Sequence, residues 1–273
     1  MKRVICSAAG IALMAGLALS ASALDPSTAG GVWLFNEGAG TTAGDSSGNG
    51  NTGTFDGGVE WTDGPTADSG TAVLLDGSGF VGVPDSDSID LGSAGTVVFW
   101  VRSDKEMLDM WADRQVVVGK HYLEYEIGIY LDGQIHTYSS NLGGDYDEGI
   151  LVSFADTHPD GDADWGVGKW HHVAWTLDGT HEVAYINGVM MGEFDKPNAG
   201  TAGGDHPLEI GRRTEGGLNV TGAIDDVGIF GVALGPDDIM AIYEDGLGLA
   251  MGIAAVEPAG KLTSMWGDLK RQQ

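Results

Sequence analysis

Short apolar runs, broken by Gly and Asp, set the rhythm of the chain. Gly31–Asn36, Ala72–Asp76, Phe80–Val83, Thr96–Arg102 and Gln115–Gly119 are each rich in Val, Ile or aromatic residues and bounded by polar turns, the pattern of β-strands. Glu124–Leu131 and Gln134–Ser139 flank Asp132-Gly133; Trp170–Leu177 and His181–Ile186 flank Asp178-Gly179; Ile186 and Val189 flank Asn187-Gly188. Such dipeptides supply the positive φ angles of two-residue hairpin turns, so they predict an antiparallel meander rather than βαβ units. Pro207–Gly211 and Thr221–Phe230 add strands. One helix is predicted late: Gly235 caps it, Pro236 opens it, and Asp237 and Asp238 favour the positive end of its dipole. Ile239, Ile242 and Tyr243 then give helical spacing, and Gly246 ends it. Two stretches break the pattern. Asp104 to Arg114 reads as a mixed loop carrying Trp111. Asn141 to Gly168 reads as an acidic loop with one strand, Ile150–Phe154.

The chain ends differ from this body. Lys2-Arg3, the apolar run Val4–Leu19 and Ala21-Ser22-Ala23 form the pattern of a secretory signal peptide, so residues 1–23 are expected to leave and the mature chain to begin at Leu24. No later run is long and apolar enough for a spanning helix, which excludes membrane insertion after cleavage. Residues 24–252 then form one domain and residues 253–273 a tail. The tail breaks at Pro258-Ala259-Gly260, and Leu262, Met265, Trp266 and Leu269 follow at helical spacing.

Composition sharpens the picture. With 46 Gly scattered without a period, the chain fits strands joined by turns and not collagen. The only cysteine, Cys6, lies in the leader, so the mature chain has neither a disulfide nor a thiolate nucleophile. A formal charge of −27 repels nucleic acid and anionic membrane, and it attracts cations. The remaining chemistry is sparse. His171 and His172 are neighbours on a strand and point to opposite faces, which prevents easy chelation of one ion. Asp160-x-Asp162-x-Asp164 starts like an EF-hand, but Trp165 stands where its glycine belongs and His171 where its closing Glu belongs. Trp33, Trp100, Trp170 and Trp175 read as strand aromatics.

The ordered set of motifs carries a resemblance. Asp45-Ser46-Ser47-Gly48-Asn49-Gly50-Asn51 follows Val32-Trp33-Leu34-Phe35; then come Leu75-Asp76-Gly77, Phe80-Val81-Gly82-Val83-Pro84 and Val98-Phe99-Trp100-Val101. Trp170-His171-His172-Val173, Tyr185-Ile186-Asn187-Gly188, Leu208-Glu209-Ile210-Gly211-Arg212 and Gly222-Ala223-Ile224-Asp225-Asp226-Val227 complete it. Over about residues 31–247 the chain resembles the LamG-like jelly-roll (laminin G type 3, concanavalin A-like) family. That implies an all-β fold, a two-sheet antiparallel jelly-roll sandwich with one short C-terminal-side helix. It also implies a secreted or cell-surface module, often calcium-bound and credited with carbohydrate or protein binding.

Three functional expectations follow. The first is a secreted, non-catalytic module binding a glycan or matrix polysaccharide, with a structural Ca²⁺. The second is a structural or adhesive surface protein binding other extracellular proteins. A hydrolase stands third: hydrolases of this fold use a Glu-x-Asp-x-Glu-like run, and Glu124-Tyr125-Glu126 lacks its third acid. For the metal, the resemblance joins the oxygen-rich turn bearing Asp45, Asn49 and Asn51 to the strand bearing Asp225 and Asp226, with Asp76 as a further ligand. Val227 and Ile229 suggest that Asp225 shares their inward face, where a lone carboxylate is costly without a cation or donor. The alternative is that Asp45 caps its own turn and Asp225 bonds backbone amides. Trp111, Tyr146 and Trp165 lie in the two irregular stretches and are the candidate ligand contacts, since loops on a rigid sandwich commonly carry binding; each could equally plug its own loop.

Overall fold

The computed structural model describes residues 24–66, 69–109, 112–130, 133–140, 146–153, 165–196, 201 and 203–253, with backbone only over 146–153. The strands are β1 (Ala29–Trp33), β2 (Thr42–Ala43), β3 (Gly53–Asp56), β4 (Val59–Asp63), β5 (Thr71–Asp76), β6 (Phe80–Val83), β7 (Gly95–Ser103) and β8 (Gln115–His121). They continue with β9 (Tyr125–Ile129), β10 (Gln134–Ser140), β11 (Tyr146–Ser153), β12 (Trp170–Leu177), β13 (His181–Ile186), β14 (Val189–Asp195), β15 (Leu208–Ile210) and β16 (Thr221–Phe230). Helices α1 (Pro236–Asp245) and α2 (Leu247–Ala250) close the described chain.

Two antiparallel sheets face each other. The first runs β14-β13-β12-β7-β16-β5-β4, with β1 also paired to β16; the second runs β11-β10-β9-β8-β15-β6-β3-β2. This is the expected jelly-roll sandwich. Alternation along β7 shows how it is held: Val97, Phe99 and Val101 enter the core between the sheets, while Val98 enters a second apolar cluster under α1. Trp33, Trp175 and Ile127 fill the main core. In the second cluster Ile239 and Ile242 of α1 and Leu247 of α2 cover the outer face of the first sheet. The hairpin signals act as expected. Asn187 and Gly188 take φ of 49° and 77° between β13 and β14, and Gly179 takes 94° beside Asp178. The Asp178 carboxylate accepts from the Thr180 and His181 amides at 2.8 and 2.7 Å.

The structure departs from the sequence reading in four places. The short strands β2, β3 and β4 were not expected; each offers at most two apolar residues, such as Val59 and Trp61 of β4, too few to mark a strand by their period. β11 spans Tyr146–Ser153 rather than Ile150–Phe154, because it continues β10 by pairing from Gln134↔Ser153 to Ser140↔Tyr146. Tyr146 is therefore on a strand and not in a loop. A second short helix follows α1. The leader, the Asp160–Asp164 run and the tail beyond Ile253 lie outside the described residues, among which no helix is long and apolar enough to cross a membrane.

Candidate functional site

β16 is flanked by β7 on one side and, on the other, by β5 along its first half and β1 along its second. The change of neighbour falls at Asp225 and Asp226. Asp225 stands opposite Trp100 and Gly228 opposite Val98, so one extra residue of β16 is accommodated between them, a β-bulge. Asp226 takes φ 47°, in the left-handed region that a side chain rarely adopts. The bulge corrects the inward assignment of Asp225. Counting back from Val227 and Ile229 by alternation fails across it, and Asp225 shares the face of its cross-strand partner Trp100, whose ring stacks on Tyr243 of α1 at 5.6 Å.

Both acids are nonetheless buried, Asp225 completely. One oxygen of Asp225 accepts from the Asp226 amide at 2.9 Å; the other, Oδ2, has no hydrogen-bond partner among the described residues. A Cβ placed on Gly64 would lie 2.9 Å from that oxygen and from Ser69, so the carboxylate abuts the loop after β4 at closest packing. Burial, then the charge of Asp226, and also Glu37, push the Asp225 carboxyl well above its ordinary range. Burial pushes Asp226 up to about 6, although Asp226 Oδ2 accepts from the Leu247 amide at 3.2 Å.

Asp226 opens into a cavity of about 600 Å³. Its walls mix apolar groups (Leu34, Trp100, Tyr243, Leu249) with hydroxyl, amide and acidic groups (Asn36, Glu37, Ser46, Thr66, Ser69, Glu244). Local hydrogen bonds fix the rim. Asn36 Oδ1 accepts from the Thr71 amide at 3.1 Å, the Phe35 carbonyl accepts from the Thr71 hydroxyl at 2.6 Å, and Glu37 accepts from the Gly44 amide at 2.6 Å. Phe35, like Asp226, sits at positive φ, 48°. Backbone strain on both sides of a polar cavity is the kind of feature that a binding site retains.

The six residues expected to hold a metal are engaged in different ways. Asp45 is saturated: its oxygens accept from the Val32, Ser47 and Asn51 amides and from the Ser47 hydroxyl, all within 3.0 Å. Asn49 and Asn51 donate their side-chain amides to backbone carbonyls, to Gly30 at 3.0 and 2.8 Å. Asp76 caps an exposed turn through Ser78 at 2.8 Å. It pairs with Thr221, and the four residues from there to Asp225 carry β16 about 13 Å further on. Asp225 alone of the six keeps a buried oxygen without a partner among the described residues, and the neighbouring charge of Asp226 adds to what a cation would relieve. Glu37, Ser69 and Thr66 complete an oxygen-rich set beside them; they arrive from loops whose polar residues carry no sequence period. Hard oxygen donors of this kind fit Ca²⁺ rather than a soft metal.

The aromatic candidates divide. Trp111 is outside the described residues, and only the backbone of Tyr146 is described. Trp165 is 5% exposed, with its ring stacked on His171 at 4.2 Å and its carbonyl 2.8 Å from His171 Nε2. It plugs the main core, so it offers no open face to a sugar. His171 and His172 point opposite ways as expected. His172 lies under α1 beside Trp100 and is fully buried, which lowers its basicity to a pKa of about 3 and keeps it neutral. Glu124 and Glu126 are each held by a cation, Lys120 at 2.6 Å and Arg213 at 2.5 Å.

Comparison with known proteins follows the same lines. The family described as the concanavalin A-like lectin/glucanases superfamily, laminin G type 3, matches residues 75–240. Curated protein sequences give no significant match. Among solved structures, domain 4 of AbnA, a GH43 extracellular arabinanase from Geobacillus stearothermophilus in complex with arabinotriose, aligns with TM-score 0.59 and 19% identity, covering 80% of this chain and 98% of that one. The binding domain of botulinum neurotoxin DC, in complex with rat synaptotagmin II, aligns with TM-score 0.59 and 16% identity over 81% of this chain and 52% of that one. Botulinum neurotoxin type C, whose cell entry is described as dependent upon interaction with two ganglioside molecules, aligns with TM-score 0.58 and 18% identity over 79% of this chain and 50% of that one. At these identities the likeness is one of fold. The chain spans about half of the toxin structures.

Proposed function

Because the chain belongs to the concanavalin A-like lectin/glucanases superfamily, we propose that it is an exported, non-catalytic binding module that takes a carbohydrate at the cavity beside Asp226, with a calcium ion held at Asp225. The observation that carries this reading is the wholly buried Asp225 oxygen without a partner, beside a cavity lined by hydroxyl, amide and carboxylate groups. A buried carboxylate needs a cation or a proton. Calcium would be held by Asp225 with Asp226 and Glu37, and when bound it supplies the positive charge that keeps both buried acids ionised. Sugar hydroxyls suit Asn36, Ser46, Thr66 and Ser69, and Trp100 and Tyr243 give the cavity an apolar wall. A carbohydrate ligand is also consistent with the arabinotriose and ganglioside named for two fold neighbours.

The non-catalytic reading is supported by the state of the one acidic pair that the sequence offered for hydrolysis and of the buried acid beside the cavity. Retaining glycosidases need two free carboxyl groups about 5–5.5 Å apart on either side of the scissile bond. Glu124 and Glu126 are neutralised by Lys120 and Arg213, and Asp225 is sealed from solvent. Export rests on the leader sequence and on the extracellular arabinanase among the neighbours. A glycan array probed with the full chain in Ca²⁺ and in EDTA tests the proposal. Calcium-dependent glycan signals are expected. A silent array in both buffers, alongside capture of an extracellular protein, would replace this function with protein adhesion, and release of reducing ends from a polysaccharide would replace it with hydrolysis.

A further inference from the structure

On the second sheet, away from β16, one group of side chains is used by neither the cavity nor the core. His121 ends β8, His206 precedes β15, and Glu215 lies in the loop after it. One donor atom from each lies within 4.8 Å of the others. We propose that His121, His206 and Glu215 form a second metal site, for a borderline transition-metal dication, with Zn²⁺ the best fit.

The donor set selects the metal. Two imidazoles and one carboxylate are the ligands of three-coordinate protein zinc sites that leave a fourth position for water or a ligand oxygen; calcium takes six or more oxygens and disfavours imidazole. The surroundings are already arranged around His206. Its Nδ1 lies 2.6 Å from Glu124 Oε1, which leaves Nε2 as the free donor. Glu124 is held in turn by the buried Lys120 ammonium at 2.6 Å. A carboxylate on the far nitrogen is the usual support of a metal-binding histidine, since it fixes the ring and raises its basicity. Glycine is required for this approach: a Cβ on Gly204 would lie 2.5 Å from Glu124 Oε1 and 3.1 Å from His206 Nδ1. His121 and Glu215 are held at positive φ, 127° and 74°. The two imidazole rings stack face to face, 3.9 Å apart and 2° from parallel. Zinc bonds of about 2.0–2.1 Å place tetrahedral ligand atoms roughly 3.3 Å apart, so loading closes the cluster by at most about 1.5 Å and tilts the two rings out of parallel, because each nitrogen lone pair lies in its ring plane. His206 and Glu215 lie on loops at the surface and can make that movement.

Zinc titrated calorimetrically into the chelator-stripped full chain tests this. The chain carries no polyhistidine tag, and millimolar Ca²⁺ is present so that the acids of β16 do not contribute. The expected result is one saturable Zn²⁺ per chain, confirmed by elemental analysis, with Co²⁺ giving the intense visible bands of a tetrahedral centre. Glu215→Gln changes an exposed loop residue and should keep the wild-type melting temperature in chelator, whereas His206→Ala also removes the partner of the buried Glu124 and should lower that temperature; each should weaken zinc at least tenfold. Absence of saturable binding, or binding that either variant leaves unchanged, would overturn the site.

Discussion

Two aspartates show how similar residues come to different work. Asp45 gathers four donors and closes the turn between β2 and β3. Asp225 has one donor and a bare oxygen. Asp45→Ala should therefore lower stability by about 2–3 kcal/mol, because it orphans several amides, yet leave the calcium-induced rise in melting temperature intact. Asp225→Asn should abolish that rise with little loss of stability in EDTA, since it removes the buried charge. Differential scanning calorimetry of both variants, with and without calcium, checks the pair. Asp226 gives a pH prediction. Its folded pKa, about 6, lies above the ordinary value of 3.8. The folded state thus holds the proton longer, and the associated stability is present below about pH 4 and lost as pH rises through about 6. Ionising such a carboxyl in the folded state costs about 3 kcal/mol. In EDTA, wild type should lose stability over that window relative to Asp226→Asn, and calcium should remove the difference. Parallel melting curves for the two proteins from pH 4 to 7 would contradict it.

At the scale of elements, legibility followed apolar periodicity. β6, β12, β13 and β16 have the boundaries read from the sequence, because each combines apolar residues with glycine or aspartate turns. β2, β3 and β4 escaped because they are short and lie near sheet edges; even β4, where Val59 and Trp61 alternate with Glu60, spans too few residues to stand out from the turns around it. The site was legible only in part. Asp226 could be named only as a metal-ligand candidate through the resemblance, and the bulge beside it falls where β16 changes partner from β5 to β1, a tertiary event. Glu37 reaches the cavity from one loop, Thr66 and Ser69 from another, and they carried no signal beyond being polar. For Trp165 two roles stayed open, because an aromatic in an irregular stretch is as able to pack inward as to bind, and the structure places it in the core. α1 was read correctly, and its role is now specific. Ile239 and Ile242 seal the outer face of the first sheet while Tyr243 walls the cavity. Ile242→Ala should cost about 2–5 kcal/mol in urea unfolding, the range for a fully buried isoleucine, and a loss below 1 kcal/mol would show that α1 is not packed as described.

For the whole molecule, charge and architecture act together. A chain at −27 repels itself, so monovalent salt should raise its melting temperature gradually by screening. Calcium should act differently, saturating in the millimolar range and adding about 2.7 kcal/mol at one hundred times its Kd. A calcium effect no larger than that of sodium chloride at equal ionic strength would reduce it to screening. The same field disfavours polyanions and leaves neutral glycans and cations as suitable ligands. Their place, on this account, is the cavity between β16, the Asn36-Glu37 loop and α1. The most direct measurement is calorimetric titration of the strongest array glycan into wild type, Asp226→Asn and Ser69→Ala in calcium. The account predicts saturable binding by wild type and at least tenfold weaker binding by both variants. Equal affinity in all three would contradict the claim that this cavity is where the protein binds.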